Sequence, residues 1–105
     1  MIRVFISQPM NGKTDKQIMD ARREAAIDAI KRIHEEYGVR EDIEVMHTVF
    51  DFSNNVHPLV YLGKNIEMMG DADIVYFARG WDNARGCVIE HECADRYGKN
   101  ILYHS

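Results

Sequence analysis

The sequence predicts an α/β domain in which short strands alternate with longer helices, and three observations support this class. Short apolar runs rich in β-branched side chains recur along the chain, which is typical of buried strands. The segments between them carry apolar residues at the spacing of amphipathic helices. With 105 residues, 46% of them hydrophobic and 29% charged, the chain has the size and composition of a single globular domain, residues 1–105.

The first strand and the first helix have well-marked ends. The apolar run Ile2–Ile6 predicts a buried strand. Thr14 and Gln17 form the Thr-x-x-Gln pattern of a capping box, so we expect a helix to begin at Thr14. Gly38 follows Tyr37, the last apolar residue at helical spacing, and is expected to end this helix.

The rest of the chain continues the alternation. Thr48–His57 is predicted to be a mixed connection, and Phe50 and Phe52 are expected to cover another part of the molecule. Pro58 suits the first turn of a helix, where its missing N–H has no helical partner. We predict further strands at Ile43–His47, Ile74–Phe77 and Asn100–Tyr103, and further helices from Pro58 to about Gly70 and from about Arg85 to Tyr97.

This order of elements predicts how the chain is arranged in space. Strands that alternate with helices form parallel sheets through right-handed crossovers. We therefore expect a small flavodoxin- or Rossmann-like three-layer sandwich with about four parallel strands in the order 2-1-3-4. In such sheets ligands bind beyond the carboxyl ends of the strands, here between strands 1 and 3. The loops expected to meet there are Ser7–Lys13 and Ala78–Gly86.

Charge and motifs exclude several functional classes. Thirteen Lys and Arg against seventeen Asp and Glu give a net charge of −4, which argues against binding to a nucleic-acid polymer. No stretch approaches the roughly 20 apolar residues of a membrane span, and we expect no membrane partner. Cys87 and Cys93 are placed on different sides of one predicted helix, so we expect free thiols and a cytoplasmic protein. Because dinucleotide, Walker and metal-ligand motifs do not occur, we predict no cofactor and no metal.

Glu90 is the strongest candidate for chemistry. It lies one turn into the third predicted helix, directly after the strand-3 loop. Nearby amide donors and the helix dipole are expected to keep its carboxyl group ionised, as a nucleophile requires. The alternative is a helix-start carboxylate that only offsets the dipole.

Two further features of the expected site have alternative interpretations. Trp81 would stack on a nucleobase, or it packs against the sheet edge or a partner subunit. Arg79, Arg85 and Lys13 would bind a phosphate from both sides of the switch point, or they are solvated surface charges.

Three segments carry a resemblance to a known family. They are Phe5–Gly12, Asp71–Val75 and the stretch from Gly80 through Arg85-Gly86-Cys87-Val88-Ile89-Glu90 to Ala94. In this order they resemble the nucleoside 2-deoxyribosyltransferase-like superfamily, which includes deoxynucleoside monophosphate N-glycosidases. The resemblance covers most of the chain and is strongest to the small uncharacterised bacterial and phage members.

The resemblance implies glycosyl transfer at the anomeric carbon of a nucleoside or nucleotide. Glu90 matches the family nucleophile, which forms a glycosyl-enzyme ester. The resemblance also implies a homodimer or larger homo-oligomer. Substrate-binding positions are expected among the residues of the two loops: Ser7, Gln8, Pro9, Met10, Gly12, Lys13, Trp81, Asp82, Arg85 and Gly86.

Two departures from the family pattern keep a second function open. Asn65 stands where the family enzymes carry an Asp, and Ala84 stands where they commonly carry Ser or Asp. An amide does not donate a proton as a carboxylic acid does, so Asp73 or Asp82 would have to substitute. The sequence therefore predicts either cleavage or exchange of an N-glycosidic bond, with Glu90 and position 65 as the catalytic positions, or a non-catalytic nucleotide-binding or sensing module. A purely structural protein would bind no small molecule.

Overall fold

The computed structural model of this chain describes residues 1–39, 41–47 and 57–104. It forms one four-stranded sheet in the order β2-β1-β3-β4 with every neighbouring pair parallel, as predicted. The predicted covering role of Phe50 and Phe52 lies outside the described residues. The elements in chain order are β1 Ile2–Ser7, α1 Asp15–Tyr37, β2 Ile43–Val45, α2 Pro58–Met69, β3 Ile74–Phe77, a 3-10 turn Trp81–Asn83, α3 Arg85–Arg96 and β4 Asn100–Tyr103.

The ends of α1 confirm the capping prediction. The Thr14 side chain accepts a hydrogen bond from the Gln17 backbone N–H at 3.1 Å, and the Gln17 side chain accepts one from the Thr14 N–H at 2.9 Å. At the other end, Gly38 adopts a left-handed φ of 60° and donates to the His34 carbonyl at 3.1 Å. Glycine carries no Cβ that would strain this conformation, so the helix ends there.

The sheet differs from the prediction at two strand ends. β1 continues through Ser7, which is in register with Phe77 of β3. β2 ends at Val45 instead of His47, although its partner β1 continues three residues beyond Val4, which pairs with Val45. Pairing with β3 therefore keeps Ser7 within the sheet, and this fixes the direction of the Ser7 side chain.

Helices cover both faces of the sheet. Because side chains alternate along a strand, Val4, Ile6 and Tyr76 face α1, whereas Phe5, Val75 and Phe77 face α2 and α3. β1 and β3 are buried on both faces, as the central strands of a parallel sheet are. No helix among the described segments is both long enough and apolar enough to cross a membrane. The alternation continues past the core, so Ser7 is directed towards α3.

Candidate active site

Glu90 lies on the buried face of α3. The buried residues of this helix are Cys87, Glu90 and Ala94, which recur at helical spacing. A carboxylate therefore occupies a position at which helical packing favours an apolar side chain. Only 4% of Glu90 is exposed.

Ser7 joins Glu90 to the end of β1. The Ser7 Oγ donates a hydrogen bond to Glu90 Oε1 at 2.6 Å, and Ser7 itself is 1% exposed. A bond of this length to an ionised acceptor belongs to the strong, charge-assisted class. Because Ser7 pairs with Phe77 at the ends of β1 and β3, the Glu90 carboxyl group lies at the carboxyl edge of the two central strands.

Asn65 holds the second oxygen of the same carboxyl group. Its Nδ2 donates to Glu90 Oε2 at 3.2 Å from α2. The residue at the position of the family Asp therefore contacts the candidate nucleophile, although an amide supplies only an N–H. The other two candidate acids lie elsewhere: Asp82 is exposed, and Asp73 accepts from the Arg3 N–H at 2.8 Å next to the start of β3, at the opposite edge of the sheet.

Burial raises the pKa of the Glu90 carboxyl group, and the hydrogen bonds from Ser7 and Asn65 act in the opposite direction with smaller effect. The sequence-based expectation rested on amide donors and the helix dipole, both of which lower the pKa of a carboxyl group, and did not include burial. In the structure the loss of hydration around the charge is the largest contribution, and it raises the pKa.

Cys87 lies one turn before Glu90 on the same buried face. Burial, opposed by a hydrogen bond with Ser7 and reinforced by the charge of Glu90, raises the pKa of the Cys87 thiol to about 11. The thiol is therefore protonated at neutral pH and does not act as a nucleophile. Among the residues described, no three His, Cys, Asp or Glu side chains are grouped so that they would hold a metal ion.

Trp81 packs into an aromatic cluster at the edge of the sheet. Its ring stacks on His91 with centroids 4.4 Å apart, and it lies 5.3 Å from the Phe77 ring and 5.6 Å from the Tyr103 ring. His91 Nε2 and the Tyr103 hydroxyl are hydrogen-bonded at 2.7 Å. These contacts match the packing interpretation of Trp81, and stacking on a nucleobase stays a prediction.

The predicted loop Ser7–Lys13 directs its first two side chains to opposite faces of the sheet. Ser7 faces Glu90, whereas the Gln8 side chain donates to the Ile18 carbonyl of α1 at 3.0 Å. Lys13 and Arg79 line a cavity on the α1 side together with Gln8. Pro9 lies against Gly80. Met10 and Gly12 belong to a turn that is closed by a hydrogen bond from the Lys13 N–H to the Met10 carbonyl. The remaining predicted binding positions lie near the start of α3, where Asp82 and Arg85 are exposed and Gly86 is half-buried.

On the α1 face, Tyr76, Asp28 and His104 form a polar cluster that the sequence did not predict. The Tyr76 hydroxyl donates to Asp28, and His104 Nδ1 lies 3.7 Å from the same carboxylate. Burial, followed by the hydrogen bond to Asp28, raises the pKa of Tyr76. The three residues come from β3, α1 and the end of β4, so no local motif connects them. The sequence offers one signal for this cluster: alternation along β3 places Tyr76 on the face covered by α1.

The fold and this site together define the class of the protein. It is a Rossmann-like α/β domain with a parallel 2-1-3-4 sheet and a buried carboxylate at the edge between its two central strands. Among solved structures it is similar to a 2-desoxiribosyltransferase from Leishmania mexicana, with a TM-score of 0.64 and 16% sequence identity. The alignment covers 100% of this chain and 65% of that one. At this identity the similarity shows the fold.

Comparison of the sequence with models of protein families shows the family of this chain. The chain belongs to the family described as domain of unknown function DUF4406, whose model matches residues 2–103. A search of curated proteins finds no match.

Proposed function

We propose that this domain cleaves the N-glycosidic bond of a nucleoside or nucleotide, or exchanges its base, with Glu90 as the nucleophile. The observation that carries the proposal is the Glu90 carboxyl group, buried at the carboxyl edge of β1 and β3 and bound by Ser7 at 2.6 Å. Glutamate is rarely buried in protein cores, and carboxyl groups with a perturbed pKa are frequent at functional sites. The fold similarity to a deoxyribosyltransferase agrees with this chemistry.

The reaction would follow the course of a retaining glycosidase. Glu90 Oε2 attacks the anomeric carbon, a C–O bond forms, and the bond to the base nitrogen breaks with its electron pair leaving on the base. The base takes a proton from solvent, and water then attacks the anomeric carbon of the ester, giving up one proton to solvent, releasing the sugar and regenerating the carboxylate. We assign the attack to Oε2 because its hydrogen bond to Asn65, at 3.2 Å, is longer than the Ser7 bond and is the easier one to displace.

The leaving base needs a proton, and neither described partner of Glu90 is a carboxylic acid. General acid catalysis typically contributes about 10²- to 10⁴-fold to such a step. We therefore expect slow turnover of ordinary nucleosides and faster turnover of substrates whose leaving group needs no protonation. Nucleosides whose base has a low pKa are therefore the most informative substrates for a first assay, because their base can leave without a general acid.

A second candidate function is a nucleotide-binding or sensing module without catalysis. Asn65 favours it, because the amide that contacts Glu90 cannot protonate a leaving base as a carboxylic acid does. In this case a nucleotide would raise the melting temperature without releasing base, since ligands that bind only the folded state stabilise it.

The test incubates the protein with nucleosides and 5′-monophosphates and measures free base by chromatography. Glu90→Gln should abolish release. Glu92→Gln, an exposed carboxylate on the same helix that pairs with Arg96, is the matched control and should retain it. Release that survives Glu90→Gln would refute the proposed nucleophile, and nucleotide-dependent stabilisation without release would favour the binding module.

We also propose that the domain self-associates around the same edge. Leu59, Val60, Val88 and Ile89 are exposed by 67%, 45%, 43% and 39% in the first halves of α2 and α3, and the two helices pack against each other. Burying apolar side chains of this kind typically drives association of a homodimer. The mass of the purified chain in solution, measured by sedimentation, tests this self-association.

A further inference from the structure

The Glu90 carboxyl group has no positive charge beside it. Among the described residues, none of the ion pairs includes Glu90. Its hydrogen-bond partners are the Ser7 hydroxyl and the Asn65 amide, which are neutral, and burial keeps the neighbouring Cys87 thiol protonated by raising its pKa to about 11. Buried charges are normally paired with an opposite charge or a metal ion. When Glu90 is ionised, a positively charged ligand would therefore supply the partner that the described residues do not.

The same three neighbours are poor proton donors for a leaving base. The Asn65 amide is not an acid, and the Ser7 hydroxyl already donates its proton to Glu90 Oε1. The Cys87 thiol, with a pKa of about 11, is a weak acid at neutral pH. A base that must gain a proton before it leaves would have to take that proton from solvent. A base that leaves as a neutral molecule without gaining a proton avoids this requirement.

Both features favour one chemical class of substrate, the N-glycosides in which the nitrogen bonded to the sugar is quaternary, as in pyridinium nucleosides. That nitrogen carries a positive charge, and when its bond to the sugar breaks the electron pair stays on it, so the base leaves neutral without a proton. In a reactive geometry the attacking oxygen lies about 3–3.5 Å from the anomeric carbon, which places the nitrogen within about 5 Å of that oxygen. Opposite charges at this separation attract more strongly in a buried site than in water, because screening is weaker there.

We propose that the Glu90 site takes cationic N-glycosides of the pyridinium class in preference to neutral nucleosides. This inference rests on the function proposed above and names its substrate class. Glu90 Oε2 forms a bond to the anomeric carbon, and the bond to the quaternary nitrogen breaks with its electron pair on that nitrogen. The negative and the positive charge disappear together, which leaves a neutral ester and a neutral base. Water then attacks the anomeric carbon of the ester and gives up one proton to solvent, which releases the sugar and restores the carboxylate.

The first experiment compares the release of nicotinamide from nicotinamide riboside with the release of uracil from uridine. Each substrate is supplied in its ribose and 2′-deoxyribose forms, with and without a 5′-phosphate, and spontaneous release is subtracted. The wild type should release nicotinamide faster than uracil by about 10²-fold or more. In Asn65→Asp the ratio of the two rates should fall by about 10²- to 10⁴-fold, because the new acid accelerates only the departure of uracil. The intrinsic lability of each substrate cancels from this comparison between two proteins. Asn83→Asp adds the same charge at an exposed position and should leave the ratio unchanged.

The second experiment measures binding without catalysis. The cation 1-methylnicotinamide and its neutral counterpart nicotinamide are titrated at pH 8, while NMR follows the side-chain amide signal of Asn65, which contacts Glu90. The cation should bind the wild type more tightly than the neutral molecule by about tenfold or more. Glu90→Gln should lose this preference. Glu92→Gln should keep it, because Glu92 is exposed and pairs with Arg96.

The outcomes separate the preference for a cation from the proposed catalysis. Equal affinities for the cation and the neutral molecule, or a preference that survives Glu90→Gln, overturn the inference. It is also overturned if Asn65→Asp accelerates both releases equally, and release that depends on Glu90 would then still support the proposed function. A preference for the cation that depends on Glu90, with no base released from any substrate, refutes the proposed function and supports the cationic class of ligand. The binding experiment does not use Asn65→Asp, so it decides the inference even if that variant fails to fold.

Discussion

Replacing Asn65 with Asp should create the missing general acid. The Asn65 Nδ2 lies 3.2 Å from Glu90 Oε2, so a carboxyl group at position 65 would face the Glu90 carboxyl group at hydrogen-bond distance. Two unit charges 3.2 Å apart at an effective dielectric of 20 repel by about 5 kcal/mol, which corresponds to about 4 pKa units. The pair would therefore share one proton near neutral pH, with one member as nucleophile and the other as acid.

The assay is the rate of free base release from a nucleoside 5′-monophosphate as a function of pH. We expect Asn65→Asp to exceed the wild type by about 10²- to 10⁴-fold and to give a bell-shaped pH profile. The gain should be small for a nucleoside whose base has a low pKa, because that base needs no acid.

The matched control is Asn83→Asp, which adds the same charge at an exposed position of the 3-10 turn. It should not accelerate release. The double variant Asn65→Asp, Glu90→Gln should be inactive. A folded Asn65→Asp protein that binds nucleotide and releases base no faster than the wild type would refute the reasoning that position 65 carries the acid.

Three further predictions concern stability and assembly. Glu90→Gln should melt at a higher temperature than the wild type at pH 8. The raised pKa of Glu90 in the folded state stabilises the wild type only while the carboxyl group is protonated, and this stabilisation is lost as the pH rises through that pKa. The two melting curves should converge near pH 4, and a constant difference would contradict the pKa argument. Ser7→Ala leaves Glu90 Oε1 without its donor and should lower the urea-unfolding free energy by about 1–3 kcal/mol, which unchanged stability would disprove. If the chain self-associates through α2 and α3, Ile89→Lys should yield monomers by sedimentation, whereas an unchanged mass would move the interface elsewhere.

Most of the fold could be predicted because the deciding signals are local. The capping box at Thr14 and the left-handed Gly38 fixed both ends of α1, and the handedness of parallel crossovers left few possible strand orders. The end of β2 was placed two residues late, because the apolar pattern continues through Met46 although the strand ends at Val45.

The site could be predicted only in part. Glu90 stood out because it lies one turn into the helix that follows the strand-3 loop, and this position indicated the correct edge of the sheet. The pKa direction could not be predicted, because it depends on how deeply α3 buries Glu90 against the sheet, which is a property of the tertiary packing. The division of the loop after β1 between two faces follows from strand alternation, but only once Ser7 is known to belong to the strand.

The opposite directions of Ser7 and Gln8 also restrict how the chain can change. Deleting or inserting one residue in β1 would exchange the two side chains, setting an amide beneath α3 and a hydroxyl beneath α1. Each face would then lose the particular hydrogen-bonding group that it has, including the hydroxyl that binds Glu90. Length variation among related chains is therefore expected in the outer turns and not in this strand.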